Sequence, residues 1–263
     1  MQKIKIIFAF ILIPTICFSQ NWEIGLIVGG SNYQGDIAPN IAISETHFAS
    51  GFFFKRNLSK YFSSTFLFTQ CEISGNDNNY DYLQLRNLDF RSSITELSYQ
   101  LEFNFFPFSL GLHPNNYTPY VFTGISVFKF QPQTIYNGEM INLHALDTEG
   151  KILMSNSSYS LYQMAIPIGG GFKIKVTPNF NCAINLGFRY AFTDYLDDVS
   201  TTYYDAEILE DNYGKMATLL SDKTDNEVVS FNGKQRGRQD YKDWYIIGGI
   251  TISYRIKNAV CYF

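Results

Sequence analysis

Charged residues are scarce in this sequence of 263 residues. They make up 17% of the chain, against about 25% in an average soluble domain. The 24 acidic residues outnumber the 20 basic ones, and the formal charge is −4. This balance excludes a protein that binds nucleic acid through an overall positive charge. Long apolar runs are scarce as well: no run of about 18 apolar residues follows residue 20, so no transmembrane helix is predicted beyond it.

Histidine and cysteine are also rare, with three and four residues, respectively. No histidine stands in a recognisable nucleophile motif, and no His or Cys cluster has the spacing of a metal site. We therefore expect a non-enzymatic protein with no catalytic residue, metal or cofactor. Cys182 and Cys261 fall near the same end of neighbouring predicted strands, which leaves a disulfide open. Two unpaired thiols are the favoured interpretation.

Aromatic residues, by contrast, are abundant. Phe, Tyr and Trp make up 17% of the chain, with 24 Phe and 19 Tyr, although the mean hydropathy is only −0.10. A disordered chain has few aromatic residues and more charge. The composition therefore favours β-structure that places one face in an apolar environment.

The first residues have the features of a secretory leader. Lysines precede a short apolar stretch, and small residues stand before the cleavage position. These features predict a signal peptide over 1–19 and one domain over 20–263. An acylated Cys17 is the alternative, but Ile16 stands where a lipoprotein signal needs a small residue.

Period-2 alternation of apolar and polar residues is the strongest pattern in the chain. Between 181 and 193 every even position from Cys182 to Phe192 is apolar, whereas the odd positions include Asn185 and Arg189. This period is that of a strand with one apolar face. Several segments reach the roughly nine to eleven residues that a tilted strand needs to cross a bilayer. Eight strands are predicted, at 22–30, 48–55, 62–71, 95–105, 120–130, 166–176, 181–193 and 243–257.

The connections between these strands alternate between short and long. The turns at 56–61 and 177–180 are short, whereas those at 131–160 and 194–242 are long. Outer-membrane barrels have this organisation, with short periplasmic turns and long outer loops. The sequence therefore predicts an all-β fold: an eight-stranded antiparallel transmembrane β-barrel with long extracellular loops. We expect it to be integral to the cell outer membrane, to contact its lipids, and to have both termini in the periplasm.

The inward faces of the predicted strands carry charged residues. Glu96 and Glu102 are expected in the lumen together with Lys129 and Arg189. The two carboxylates could form an acid–base pair, but ion pairs with the two bases are favoured because buried charges must be paired. A barrel of eight strands is filled by its side chains, so we expect no pore.

Two further groups are candidate binding residues. The segment Asp194, Tyr195, Leu196, Asp197 and Asp198 could hold calcium, but it lacks the spacing of a calcium loop, which favours a solvated loop root. Basic residues near the periplasmic end either meet anionic lipid headgroups or form a docking surface for a periplasmic partner. These bases are Lys55, Arg56, Lys60, Lys173, Lys175, Arg255 and Lys257.

Four stretches carry a resemblance to a known family: NLDFRSSITELSYQLEFNFFPF at 87–108, TPYVFTGISVFKFQP at 118–132, YSLYQMAIPIGGGF at 159–172 and GFRYAFTDYLDDVSTTY at 187–203. With these, the chain resembles the PorG-like outer-membrane proteins of the type IX secretion system of Bacteroidetes. The segment FTDYLDDVSTTY is the most specific part. At Asp147 the sequence departs from the family, in which glycine is expected.

The resemblance implies a barrel that anchors a periplasmic ring, made of the lipoprotein PorK and its partner PorN, to the outer membrane. That system exports folded proteins and supports surface adhesins in gliding relatives. The alternative is a surface adhesin or ligand-binding barrel that acts through its long, acidic outer loops.

Overall fold

The computed structural model describes residues 22–108, 115–224 and 232–256. The predicted signal peptide, Lys257 and Cys261 lie outside these ranges. Within them the chain forms ten strands: β1 (Trp22–Gln34), β2 (His47–Asn57), β3 (Phe62–Asn76), β4 (Asp89–Asn104), β5 (Tyr117–Lys129), β6 (Pro132–Tyr136), β7 (Glu139–Asn142), β8 (Tyr162–Lys175), β9 (Phe180–Ala191) and β10 (Trp244–Ile256).

Eight of these strands close a barrel. They neighbour one another in the order β3-β2-β1-β10-β9-β8-β5-β4, and β3 also pairs with β4. All the pairings are antiparallel, including the seam between the first and last strands, where Trp22 lies opposite Ile256. Strands β6 and β7 form a hairpin that continues from β4 above the barrel. The predicted eight-stranded antiparallel β-barrel is confirmed, and closure leaves none of its eight described strands with an unpaired edge inside the barrel wall.

The side chains alternate between the two faces of the barrel wall. Leu26, Ile184 and Ile252 point outward and are 62%, 60% and 59% exposed, whereas Thr69 and Ser98 point inward and are buried. The outward face therefore forms an apolar belt around the polar interior, which is the inverse of a soluble barrel. This is the fold of an outer-membrane β-barrel.

Lys129 is an exception to the expected lumen residues. It shares the outward face of β5 with Val121, Ile125 and Val127. Its amine lies 5.8 Å from the centre of the Tyr162 ring on the outer rim. The expectation of an inward Lys129 is wrong because the inward positions of β5 are the even-numbered ones, which include the buried Phe128.

The two ends of the barrel differ in their connections. The turn end carries the links between β2 and β3, between β4 and β5 and between β8 and β9, together with the start of β1 and the end of β10. The loop end carries the connections 35–46, 77–88, 130–161 and 192–243. The longest connections, 130–161 and 192–243, lie at the loop end, and the shortest, 58–61 and 176–179, lie at the turn end. The alternation is not strict, because the turn-end link 105–116 is as long as the loop-end connections 35–46 and 77–88.

The long connections at the loop end fold into a structure that we call the cap. It contains three short helices, α1 (Lys151–Ser155), α2 (Ala206–Tyr213) and α3 (Lys215–Ser221). Asp205 begins α2 by accepting hydrogen bonds from the backbone amides of the next turn, as N-cap residues do. Apolar side chains from several connections form a common core with the barrel rim: Ile37, Leu88, Phe130, Leu143, Leu196, Val199 and Leu220. No helix in the described residues is long and apolar enough to span a membrane.

Candidate functional site

Lys55 and Lys173, expected on an exposed rim, lie inside the barrel. The Lys55 amine is 3.0 Å from a carboxylate oxygen of Glu102, and Lys173 binds the other oxygen of the same carboxylate. Lys173 also donates to Asn104 over 2.9 Å. The alternation gives the reason, because Lys55 shares the inward face of β2 with Phe53.

Arg255 is turned inward in the same way. Its guanidinium lies 3.6 Å from the carboxylate of Glu23, which is only 2% exposed. That carboxylate also accepts hydrogen bonds from Asn57, Asn181 and Ser253. Three of the expected surface bases therefore pair with buried carboxylates inside the barrel, and the prediction of an exposed seven-residue rim is wrong for them.

Arg56, Lys60 and Lys175 remain at the turn end. The Arg56 guanidinium lies 5.7 Å from the centre of the Trp22 ring, and the Lys60 amine lies 5.2 Å from that of Tyr61. The Lys175 amine lies 5.7 Å from the ring of Phe108, at the mouth of the barrel. Cations above aromatic rings are suited to a membrane–water boundary. The structure thus brings together a smaller cationic group than the sequence predicts.

A second buried ion pair closes the middle of the lumen. Arg189 lies 3.4 Å from Glu96, which also accepts a hydrogen bond from the Tyr245 hydroxyl. The expected ion pair of Glu96 with Arg189 is therefore confirmed, whereas Glu102 pairs with Lys55 and Lys173 and not with the outward Lys129. The cavity between the two groups is only about 40 Å³, enough for a few water molecules. The lumen is thus plugged by side chains.

The segment Asp194–Asp198 forms the interior of the cap. Asp194, Asp197 and Asp198 are at most 3% exposed, and Leu196 is fully buried. The expectation of a solvated loop root is wrong, because all three carboxylates are buried and those of Asp197 and Asp198 are bound by groups from distant parts of the chain. Among the described residues, no cluster of His, Cys, Asp and Glu is arranged to hold a metal ion.

Tyr33 joins two of the buried carboxyl groups. Its hydroxyl lies 2.8 Å from Asp197 and 2.7 Å from Asp243. A hydroxyl has one proton to donate, so the second short contact requires a proton on one carboxyl group. Burial raises the pKa of both Asp197 and Asp243 well above the ordinary value, which is consistent with a shared proton.

Asp198 connects the two longest loops. Its carboxylate accepts hydrogen bonds from the hydroxyls of Thr148 and Tyr159, both over 2.5 Å. Its backbone has a φ of 65°, a left-handed conformation that Asp tolerates better than most residues. Burial raises the pKa of Asp198 to about 6, so desolvation outweighs its hydrogen bonds and the nearby Arg236.

Glu149 and Arg236 form the central ion pair of the cap. They lie 3.1 Å apart and are 3% and 2% exposed. The Glu149 carboxylate also accepts the backbone N–H groups of Ser200 and Thr201, while Arg236 donates to the carbonyl of Asp198 over 2.7 Å. The two loops are therefore bound to each other as one body.

The residues that complete the cap were not identified from the sequence. Tyr33 lies in β1, Glu149 in the connection 130–161, and both Arg236 and Asp243 in the connection 192–243. Their pairing spans up to 210 residues. Asp243 directly precedes β10, but no local pattern connects it to Tyr33. The alternation of inward and outward residues along a strand, by contrast, could have identified Lys55 as a lumen residue, because it lies two residues from the inward Phe53.

A cavity of about 490 Å³, which we call the side pocket, opens at the flank of the cap above β8 and β9. Lys151, Tyr159, Asp194, Tyr195 and Lys242 contribute to its walls. The Tyr159 and Tyr195 rings are stacked with their centres 4.5 Å apart. Tyr195 is thus part of the cap.

Comparisons with known proteins find one family and several similar solved structures. A family model described as "Domain of unknown function (DUF6089)" matches residues 2–218. No curated protein matches significantly. Solved structures with similarity include Ail of Yersinia pestis, at 10% identity, TM-score 0.41 and coverage of 90% of this chain and 99% of that one. Neisserial surface protein A has 8% identity, a TM-score of 0.44 and coverage of 89% and 97%. The N-terminal barrel domain of Pseudomonas aeruginosa OprF has 12% identity, a TM-score of 0.38 and coverage of 90% and 98%.

Proposed function

Because the chain belongs to the DUF6089 family and resembles PorG-like proteins, we propose that it is a non-enzymatic outer-membrane component of a type IX secretion system. It anchors the periplasmic ring of the lipoprotein PorK and its partner PorN. The observation that carries the proposal is the segment FTDYLDDVSTTY at 192–203, the most specific part of the resemblance. Its carboxylates are held by hydrogen bonds within the cap, which suits a structural role for this motif.

The plugged lumen supports a scaffold role. Glu96 with Arg189, and Glu102 with Lys55 and Lys173, fill the interior with paired charges. A folded cargo protein is far larger than the remaining cavity of about 40 Å³. In this proposal, exported proteins do not pass through the lumen of this barrel. The chain takes part in secretion by binding other components through its surface.

The ring docks at the turn end in this proposal. Short turns face the periplasm in outer-membrane barrels, so we place both termini there. Arg56, Lys60 and Lys175 are the described bases that remain at this end after the internal ion pairs are removed. Complementary charge at such a rim steers association and fixes orientation.

The experiment is charge reversal of this reduced group. Arg56→Glu, Lys60→Glu and Lys175→Glu combined are expected to lower co-purification of PorK in moderate salt, while each alone has little effect because an exposed pair contributes only about 0–1 kcal/mol. The barrel must still shift its gel mobility on heating, which shows that it has folded.

A matched control uses exposed bases at the loop end. Lys129→Glu, Lys215→Glu and Lys234→Glu combined change the net charge equally and should leave PorK bound. Undiminished co-purification of the turn-end variant would refute electrostatic docking at this surface.

A second candidate function is a surface adhesin that acts through the loop end. It is favoured by α2, whose Glu207, Glu210 and Asp211 are exposed together on the cap. Reversing these three to Lys should abolish attachment of cells to a matrix if this candidate is correct. Retained attachment, with secretion dependent on the turn end, would exclude it.

A further inference from the structure

Asp194, a residue in the wall of the side pocket, has a carboxylate oxygen that lacks a partner among the described residues. Asp194 is only 3% exposed, and one of its oxygens accepts a hydrogen bond from Ser200 over 2.8 Å. Its other oxygen, Oδ1, is buried and has no hydrogen-bond partner among the described residues. A buried polar atom without a partner is destabilising. A ligand group that donates a hydrogen bond would satisfy it.

Two lysines line the same pocket. The Lys151 amine lies 4.1 Å from the centre of the Tyr195 ring, and the Lys242 amine contacts the carbonyl of Gln239 at 3.5 Å. Within the described part of the chain, neither amine forms an ion pair with a carboxylate. Lys242 acts electrostatically on Asp194, but neither amine is within ion-pair distance of a described carboxylate, so both are placed to bind an anionic group between them.

The mouth of the pocket adjoins the apolar belt. Phe192 contributes to the pocket wall and is 50% exposed on the outward face. Below it, Met164 lies on the same outer surface of the neighbouring strand β8, to which Phe192 is bound through the backbone. The pocket therefore lies where the apolar belt meets the cap. A ligand with its polar part in the pocket can extend an apolar part along the belt.

We propose that the side pocket binds the headgroup of an amphiphile that carries phosphate on a sugar. The phosphate lies between Lys151 and Lys242, and a sugar hydroxyl donates to Oδ1 of Asp194. The acyl chains follow the belt below Phe192. The volume of about 490 Å³ suits a headgroup of one or two sugars. This site is independent of the docking of a periplasmic ring, because it lies at the opposite end of the barrel.

The protonation of Asp194 is compatible with this arrangement. Burial raises its pKa to about 7, so near neutral pH the carboxyl group exists in both forms. Each form offers an oxygen that accepts a hydroxyl proton, and the neutral form also donates. The Asp194 side chain can thus form a hydrogen bond with a sugar hydroxyl both below and above pH 7.

Binding is measured with the full-length barrel in detergent micelles. The probes are an acylated, phosphorylated glucosamine disaccharide, the same molecule without phosphate, and its deacylated headgroup. Lys151→Gln with Lys242→Gln should weaken binding of the phosphorylated glycolipid about tenfold or more, because charge-assisted hydrogen bonds are lost. Asp194→Asn should weaken it less, since the amide still presents an acceptor. Lys215→Gln with Lys234→Gln removes the same charge elsewhere on the cap and should have no effect.

Each probe gives a distinct outcome. Tight binding of the phosphorylated glycolipid that depends on both lysines supports the proposal. Equal affinity for the deacylated headgroup overturns the amphiphile and assigns the pocket to a soluble sugar phosphate. Equal affinity for the phosphate-free glycolipid, or no difference between the Lys151/Lys242 variant and wild type, refutes the anionic site. Gel mobility with and without heating verifies that each variant has folded.

Discussion

Replacing Glu102 by Gln is expected to destabilise the barrel strongly. The Glu102 side chain is 5% exposed and lies between the amines of Lys55 and Lys173, which are themselves 11% and 6% exposed. The change preserves the shape of the side chain but removes its charge. Two buried ammonium groups then face each other without a counter-charge.

The magnitude follows from the burial. Removing one partner of a buried ion pair costs about 3–5 kcal/mol. The amide oxygen of Gln still accepts one hydrogen bond and Asn104 still binds Lys173, so we expect the lower end, about 3 kcal/mol. A matched control is Glu72→Gln. Glu72 pairs with His47 and Arg91 but is 37% exposed, so its loss should cost about 0–1 kcal/mol.

The assay is reversible urea unfolding in lipid vesicles, followed by tryptophan fluorescence. A triple variant, Lys55→Met with Glu102→Gln and Lys173→Met, removes all three charges and should recover most of the stability. Equal shifts for Glu102→Gln and Glu72→Gln would show that the lumen group is solvated. A triple variant as unstable as the single one would show that packing, and not charge, holds this site.

The remaining predictions concern the belt, the cap and the topology. Leu186→Arg places a charge on the outward face and should cost about 2–4 kcal/mol, whereas Asn185→Arg on the inward face should cost less; urea titrations with equal costs would contradict the assigned faces. Asp194 and Asp198 bind protons in the folded cap at pH values where the unfolded chain has released them, so the stability of the cap should fall as the pH rises from about 4 to 7. Protease cleavage of the cap, normalised to a peptide substrate, should therefore be faster at pH 8 than at pH 5, and Asp194→Asn should reduce this difference. Protease added to intact cells should cut within 205–216, and cleavage confined to the turn end would reverse the proposed orientation.

The facing of most barrel residues was predictable because each strand contacts lipid on one side where it crosses the apolar belt. Leu97 and Leu101 are exposed and Glu96 and Glu102 are buried, as alternation requires. The same rule applied to Lys55 gives an inward side chain. Closeness to a turn does not determine whether a side chain points inward or outward. The basic group predicted at the periplasmic end therefore included residues that lie in the lumen.

The cap was not predictable from local patterns. Asp197 contacts Tyr33 at a separation of 164 residues, and Glu149 contacts Arg236 at a separation of 87. Periodicity describes neighbours along one strand and carries no information on such pairs. The resemblance marked the segment 192–203 as specific, but not that its acidic residues are buried.

The position of Tyr33 determines the order in which the molecule can be completed. Tyr33 lies near the end of the first strand, and its partner Asp243 directly precedes the last. This contact forms only when β10 pairs with β1. Closure of the barrel therefore also brings together the groups that bind the loop containing Asp197. Contacts of such long separation are slow to form. During biogenesis the contacts of Tyr33 with Asp197 and Asp243 therefore form late, and resistance of the buried segment 194–200 to protease reports that the seam between β1 and β10 has closed.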